Sequence, residues 1–147
     1  NIMPHARQQI RAQLVTTLTG LTSTGSRVFD RPVFAYDVLP ALTIYADRDT
    51  VDDDLSSKTK NWHNLQLRVE ARAKAKDGVE DVIDTICSEI ETAIFADTTL
   101  NAKVLQIFLE DTQIEYSAEQ DKPNALATLT LKANYRIAPG APNTLAN

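Results

Sequence analysis

The stretch "NLQLRVEARAKAK", Asn64 to Lys76, places Leu65, Leu67, Val69, Ala71, Ala73 and Ala75 on one side of an extended chain. Gln66, Arg68, Glu70, Arg72, Lys74 and Lys76 fall on the other. That period of two is the signature of a strand with one buried and one wet face. At about 3.3 Å per residue it reaches roughly 43 Å, near twice the usual strand. The next residues, "DGVEDVIDTICSEIETAIFAD", change the period. Val79, Val82, Ile83, Ile86, Ile90, Ala93 and Ile94 trace a helical stripe, and Asp77, Glu80 and Asp81 favour its positive N-terminal end. A long half-buried strand running into an amphipathic helix over about 78–96 is the nucleus of an α+β fold.

Working outward, "KVLQIFLEDTQIEYS" is apolar first at odd positions (Leu105, Ile107, Leu109) and then at even ones (Ile114, Tyr116). A one-residue slip near Glu110 and Asp111 predicts a bulge or bend. "ALATLTLKANYRI" returns to clean alternation, so the last two strands form a hairpin across the turn "AEQDKPN". Upstream, Ile10, Leu14, Leu18 and Leu21 predict a first helix over about 4–20, with Pro4 suited to its first turn and Gly20 to its end. Short strand pieces follow at Arg27 to Phe29 and Ala41 to Ala46, separated by Pro32 and Pro40. The charged "DRDTVDDDLSSKTKN" reads as a long exposed loop over 47–60 or as frayed strand extensions. Met3 before Pro4 suggests a leader or cloning remnant ahead of it.

The order is therefore helix, two short strands, long strand, helix, two strands. It predicts one domain over 1–138, an antiparallel or mixed sheet with both helices on one face, and a flexible or partner-bound tail over 139–147. The expected core is Ile10, Leu14, Leu18, Leu42, Ile44, Leu65, Leu67, Val69, Val82, Ile83, Ile86, Ile90, Leu129, Leu131 and Tyr135.

Composition narrows function. The chain has 147 residues, 43% of them hydrophobic, enough for one ordinary core. A net charge of −5 argues against a general nucleic-acid binder. No apolar run approaches the roughly 20 residues of a membrane span. A single cysteine, Cys87, in a helical apolar stripe reads as a buried thiol in a reducing compartment. His5 and His63 are far apart and give no zinc pattern. The run Asp47, Asp49, Asp52, Asp53, Asp54 departs from the helix-loop-helix calcium motif at Val51, Asp52 and Lys58. No nucleophile elbow, phosphate loop or dinucleotide glycine pattern is present. The expectation is a non-enzyme without cofactor or metal.

Charge is segregated along the sequence. The long strand carries Arg68, Arg72, Lys74 and Lys76 against Glu70, whereas residues 77–97 contain seven carboxylates and no Lys or Arg. Complementary faces of this kind suit a heterologous contact between copies; the alternative is that both are ordinary solvated faces. The candidate interface residues are Arg68, Arg72, Ala73, Lys74 and Lys76, with Asp52, Asp53 and Asp54 of the charged loop. The candidate complementary face is Glu80, Asp81, Asp84 and Glu91. Small Ala71, Ala73 and Ala75 would let a neighbouring subunit approach; the alternative is that they lie wholly within the strand's own sheet.

Four phrases, "MPHARQQIRAQLVTTLTGLTSTGSRVF", "LPALTIYADRD", "LQLRVEARAKAKDGVEDVIDTICSEIETAI" and "ALATLTLKANYRI", together resemble the tail terminator proteins of long-tailed bacteriophages, the minor tail protein U type. The resemblance runs from Met3 to Ile137 and carries no catalytic motif. It implies a small subunit, typically of a hexameric ring, that caps the head-proximal end of the tail tube and stops tube polymerisation. It would meet the tail-tube protein and a head-completion or neck protein, assemble in the bacterial cytoplasm and reside in the virion. DNA would pass the channel without specific binding, which carboxylates at a channel wall would favour. Two other readings remain open: a tail-tube or head-closure ring protein, and a small acidic regulator that mimics DNA.

Overall fold

The computed structural model describes residues 4–30, 38–119 and 122–147. The expected break at Pro32, the reading of Met3 and the centre of the turn at Gln120 and Asp121 lie outside these residues. The elements are α1 (Ala6–Leu18), β1 (Val28–Phe29), β2 (Ala41–Asp52), β3 (Asn61–Lys74), α2 (Val79–Phe95), β4 (Gln106–Glu119) and β5 (Lys122–Ile137). Their order matches the sequence reading. One five-stranded sheet runs β1-β2-β3-β5-β4, parallel only between β1 and β2. The fold is α+β, with a mixed sheet and two helices.

Register explains why the alternation is so long. Leu65, Leu67, Val69, Ala71 and Ala73 of β3 stand opposite Ala133, Leu131, Leu129, Ala127 and Ala125 of β5, and every one of these is buried. Ile10, Leu14 and Leu18 of α1 and Ile83, Ile86, Ile90 and Ile94 of α2 close the same core. Val82, expected inside, is half-buried at its edge.

Ala73 is 1% exposed. It is therefore core, not contact surface, because its partner strand and the helix layer already enclose it. Small side chains let the sheet and helices approach closely at that end.

Three further expectations are corrected or sharpened. The charged segment 47–60 divides between the two readings: 47–52 extend β2, paired to β3 as far as Trp62 with a bulge between Ala46 and Arg48, and 53–60 form the loop at the tip. Cross-strand hydrogen bonding supports 47–52, whose hydrophobic pattern gives only a weak strand signal. The phase slip is a bulge between Leu109 and Asp111. The C-terminal tail folds back instead of hanging free: Ala6 N–H donates to Pro142 O at 2.8 Å, and Ala146 N–H to Arg136 O at 2.8 Å. Leu145 packs on the core.

Candidate functional site

The proposed basic strip of β3 lies on the sheet face opposite the core and is largely answered within its own sheet. Arg68 Nε donates to Asp47 Oδ2 at 2.5 Å, and Gln66 Nε2 donates to the same carboxylate at 3.0 Å. Arg72 stands 3.5 Å from Glu70, whose carboxylate also accepts from Tyr45 at 3.2 Å. Lys74 and Lys76 are exposed at the strand's end. The strip is thus a cross-strand ladder, with its charges partly spent on Asp47 and Glu70.

Asp52, Asp53 and Asp54 do not act together. Asp52 Oδ1 accepts the amides of Asp54 and Leu55 at 3.0 and 3.2 Å, the geometry of an Asx turn at the hairpin tip. Asp53 and Asp54 point to solvent. Among the described residues, no group of three His, Cys, Asp or Glu is placed to hold a metal ion.

On α2, Glu80, Asp81 and Asp84 are exposed and Glu91 is half-buried. Asp84 and Glu91 border a shallow groove between α2 and β4, with Cys87, Thr112 and Ile114. Burial, then the charges of Glu91 and Asp84, push the Cys87 thiol up to about 11. That groove wall is uncompensated, because neither α2 nor β4 contains a Lys or Arg. Glu89, further along the helix, instead ties down the turn after α1, accepting the Ser23 amide at 2.9 Å and the Ser23 hydroxyl.

The opposite end of the helix layer is the reverse. α1 holds Arg7 and Arg11 and no Asp or Glu. Both arginines line a depression at the β2 margin with Arg48, Asp47 and Asp49. Beneath it sits a polar cluster that sequence separation concealed. Asp49 Oδ2 accepts from Arg7 at 3.1 Å and from the Tyr135 hydroxyl at 2.5 Å, and Oδ1 accepts from His63 Nδ1 at 2.9 Å. The His63 and Tyr135 rings stack at 4.7 Å.

Burial, its bond to Asp49 and that carboxylate's charge raise the Tyr135 hydroxyl far above the ordinary phenol range. Desolvation followed by Arg7 lowers the His5 imidazole, which accepts the Arg7 amide as the α1 N-cap. The cluster binds α1, β2, β3 and β5 together.

No protein-family model matches the chain, and no curated protein matches it in sequence. A chain of a solved structure titled "Virion of native gene transfer agent (GTA) particle" is similar at a TM-score of 0.40 and 12% identity. The match covers 88% of this chain and 92% of that one. Among the described residues, no helix is long and apolar enough to cross a membrane.

Proposed function

We propose that this chain is a structural, non-enzymatic subunit of a phage-type virion, acting as a tail terminator: a ring, hexameric in the sequence resemblance, that caps the tail tube and meets the head-completion protein. The observation that carries the reading is the polarity of the domain. One end of its helix layer, α1, is purely basic, and the other, α2 with β4, is purely acidic. A head-to-tail ring needs two different, complementary sides on every subunit, and a symmetric dimer does not. The sequence resemblance supplies the position in the particle, and the excess of carboxylates suits a passage through which DNA slides without sticking.

The test is assembly. Purified protein should give the mass of a closed ring by light scattering and a ring with a central opening by negative-stain microscopy. Added to polymerising tail-tube protein, it should shorten the tubes and sit at one end. Tubes of unchanged length, with the protein left unbound, would remove the terminator reading. Co-polymerisation along the whole tube would favour a tube protein instead.

A further inference from the structure

Among the described residues, both margins of the sheet are unpaired over most of their length. β1 borders β2 only at Leu42 and Thr43, so among the described residues no strand flanks β2 from Ile44 to Asp52. On the other side β4 pairs with β5 alone. Its outer side is used at Ile107, whose N–H donates to Thr98 O at 3.0 Å, and among the described residues no further strand pairs with it. Open edges of this length are templates for pairing with another chain. They also carry exposed apolar side chains on the helix side: Ile114 at 37% and Tyr116 at 51% on β4, and Val51 at 47% on β2.

Strand directions decide how two such edges can meet. β2 and β5 run one way, and β3 and β4 the other. A second copy carried round by rotation, without inversion, therefore presents its β2 antiparallel to β4, the commoner and slightly stronger pairing. Charge decides between partners. Joining β4 to β4 would set Asp84, Glu91 and Asp111 against themselves, and joining β2 to β2 would do the same with Arg7 and Arg11. Joining β4 to β2 sets acid against base in the helix layer. On the opposite face Arg48 and Asp52 of β2 meet the side of β4 that carries Asp111 and Glu115, so the complementarity is that of the helix layer.

We infer that copies of this chain associate by strand addition, the β2 edge Ile44–Asp52 of one pairing antiparallel with the β4 edge of the next. Arg7 and Arg11 of α1 then face Asp84 and Glu91 of α2 across the seam. The inference rests on the ring reading above and names its interface. The groove between α2 and β4 is then the seat for the neighbour's α1 margin, and Ile114, Tyr116 and Val51 become buried at the seam.

Arg11→Glu and Asp84→Arg test it, since both positions are at least partly exposed and neither belongs to the core. With circular dichroism confirming the fold, each variant alone should weaken association at least about tenfold in sedimentation, as like charges meet across every seam. An equimolar mixture should reassemble as rings of alternating copies, because each variant's altered end finds a complementary altered end. Single variants that assemble like the unaltered chain, or a mixture that stays dissociated, would overturn this interface and leave the ring reading standing. An unaltered chain that stays monomeric at all concentrations, with or without tail tubes, would overturn both.

Discussion

Asp49 shows what single residues decide in this fold. Its side chain is 7% exposed and is held by Arg7, His63 and Tyr135. Asp49→Ala removes the shared acceptor and leaves the Tyr135 hydroxyl and the His63 ring nitrogen buried without it, a loss on the order of 3 kcal/mol. Urea unfolding should report it as a lower midpoint at unchanged slope. Tyr135→Phe, which deletes one donor and keeps the ring stack, should cost nearer 1 kcal/mol. Cys87 is a second decisive residue. Its thiol is raised from 9.0 to about 11, so the folded state favours the neutral form. The associated stability is complete below pH 9.0 and is lost as pH rises through about 11. At pH 8 the folded chain should react with a maleimide about 100-fold more slowly than the unfolded chain, from thiolate population alone. Equal rates would mean that the α2–β4 groove is open to solvent.

At the scale of elements, backbone conformation sets limits that side-chain pattern does not show. Between α2 and β4, Leu100, Asn101 and Ala102 all adopt positive φ, at 46°, 55° and 62°. Leu100 is buried there. Asp97 accepts the Thr99 hydroxyl at 2.6 Å and the amides of Thr99 and Asn101 at 3.0 Å each, bonds that draw its carboxyl below the ordinary range. Ala102→Gly should relieve a left-handed penalty of roughly 1–2 kcal/mol, less what glycine adds to the unfolded chain, for a net gain of about 0.5–1 kcal/mol. Thermal melting would show it as a small rise in Tm. The elements were legible because their signals are local: a period of two in β3 and β5, of 3.6 in α2, and the phase slip that became the bulge at Leu109 and Asp111. The extension of β2 over Asp47–Asp52 was legible only as one of two alternatives, because its residues are strand by virtue of pairing with β3. The Asp49 cluster was hidden by distance along the chain, with Tyr135 86 residues away. The ribbon's alanines were ambiguous for a related reason, since only strand order shows that Ala73 has Ala125 beside it and a helix layer above. Ala73→Glu would accordingly place a charge in the core and unfold the domain, whatever its assembly state.

For the whole molecule, the separation of charge matters more than its total. The sequence showed the acidic half of this arrangement, residues 77–97. It assigned the basic half to β3, where Asp47 and Glu70 take up much of the charge, and passed over α1, a helix without acids that carries Arg11 and Arg7, the latter bonded to Asp49. Strand order brings those arginines to one margin of the sheet and Asp84 and Glu91 to the other, so a net charge of −5 conceals a dipolar subunit. Attraction between such ends is sensitive to ionic strength, because the screening length falls from about 10 Å at 0.1 M salt to about 3 Å at 1 M. Apolar contacts such as those offered by Ile114, Tyr116 and Val51 respond differently and strengthen in salts like sulfate. If charge selects the head-to-tail arrangement and apolar burial holds it, raising sodium chloride from 0.05 to 1 M should weaken association by on the order of tenfold. Replacing the chloride with sulfate at equal ionic strength should recover part of that loss. Sedimentation velocity across the two salt series separates the contributions. An assembly indifferent to chloride would mean that the opposed ends of the helix layer do not meet.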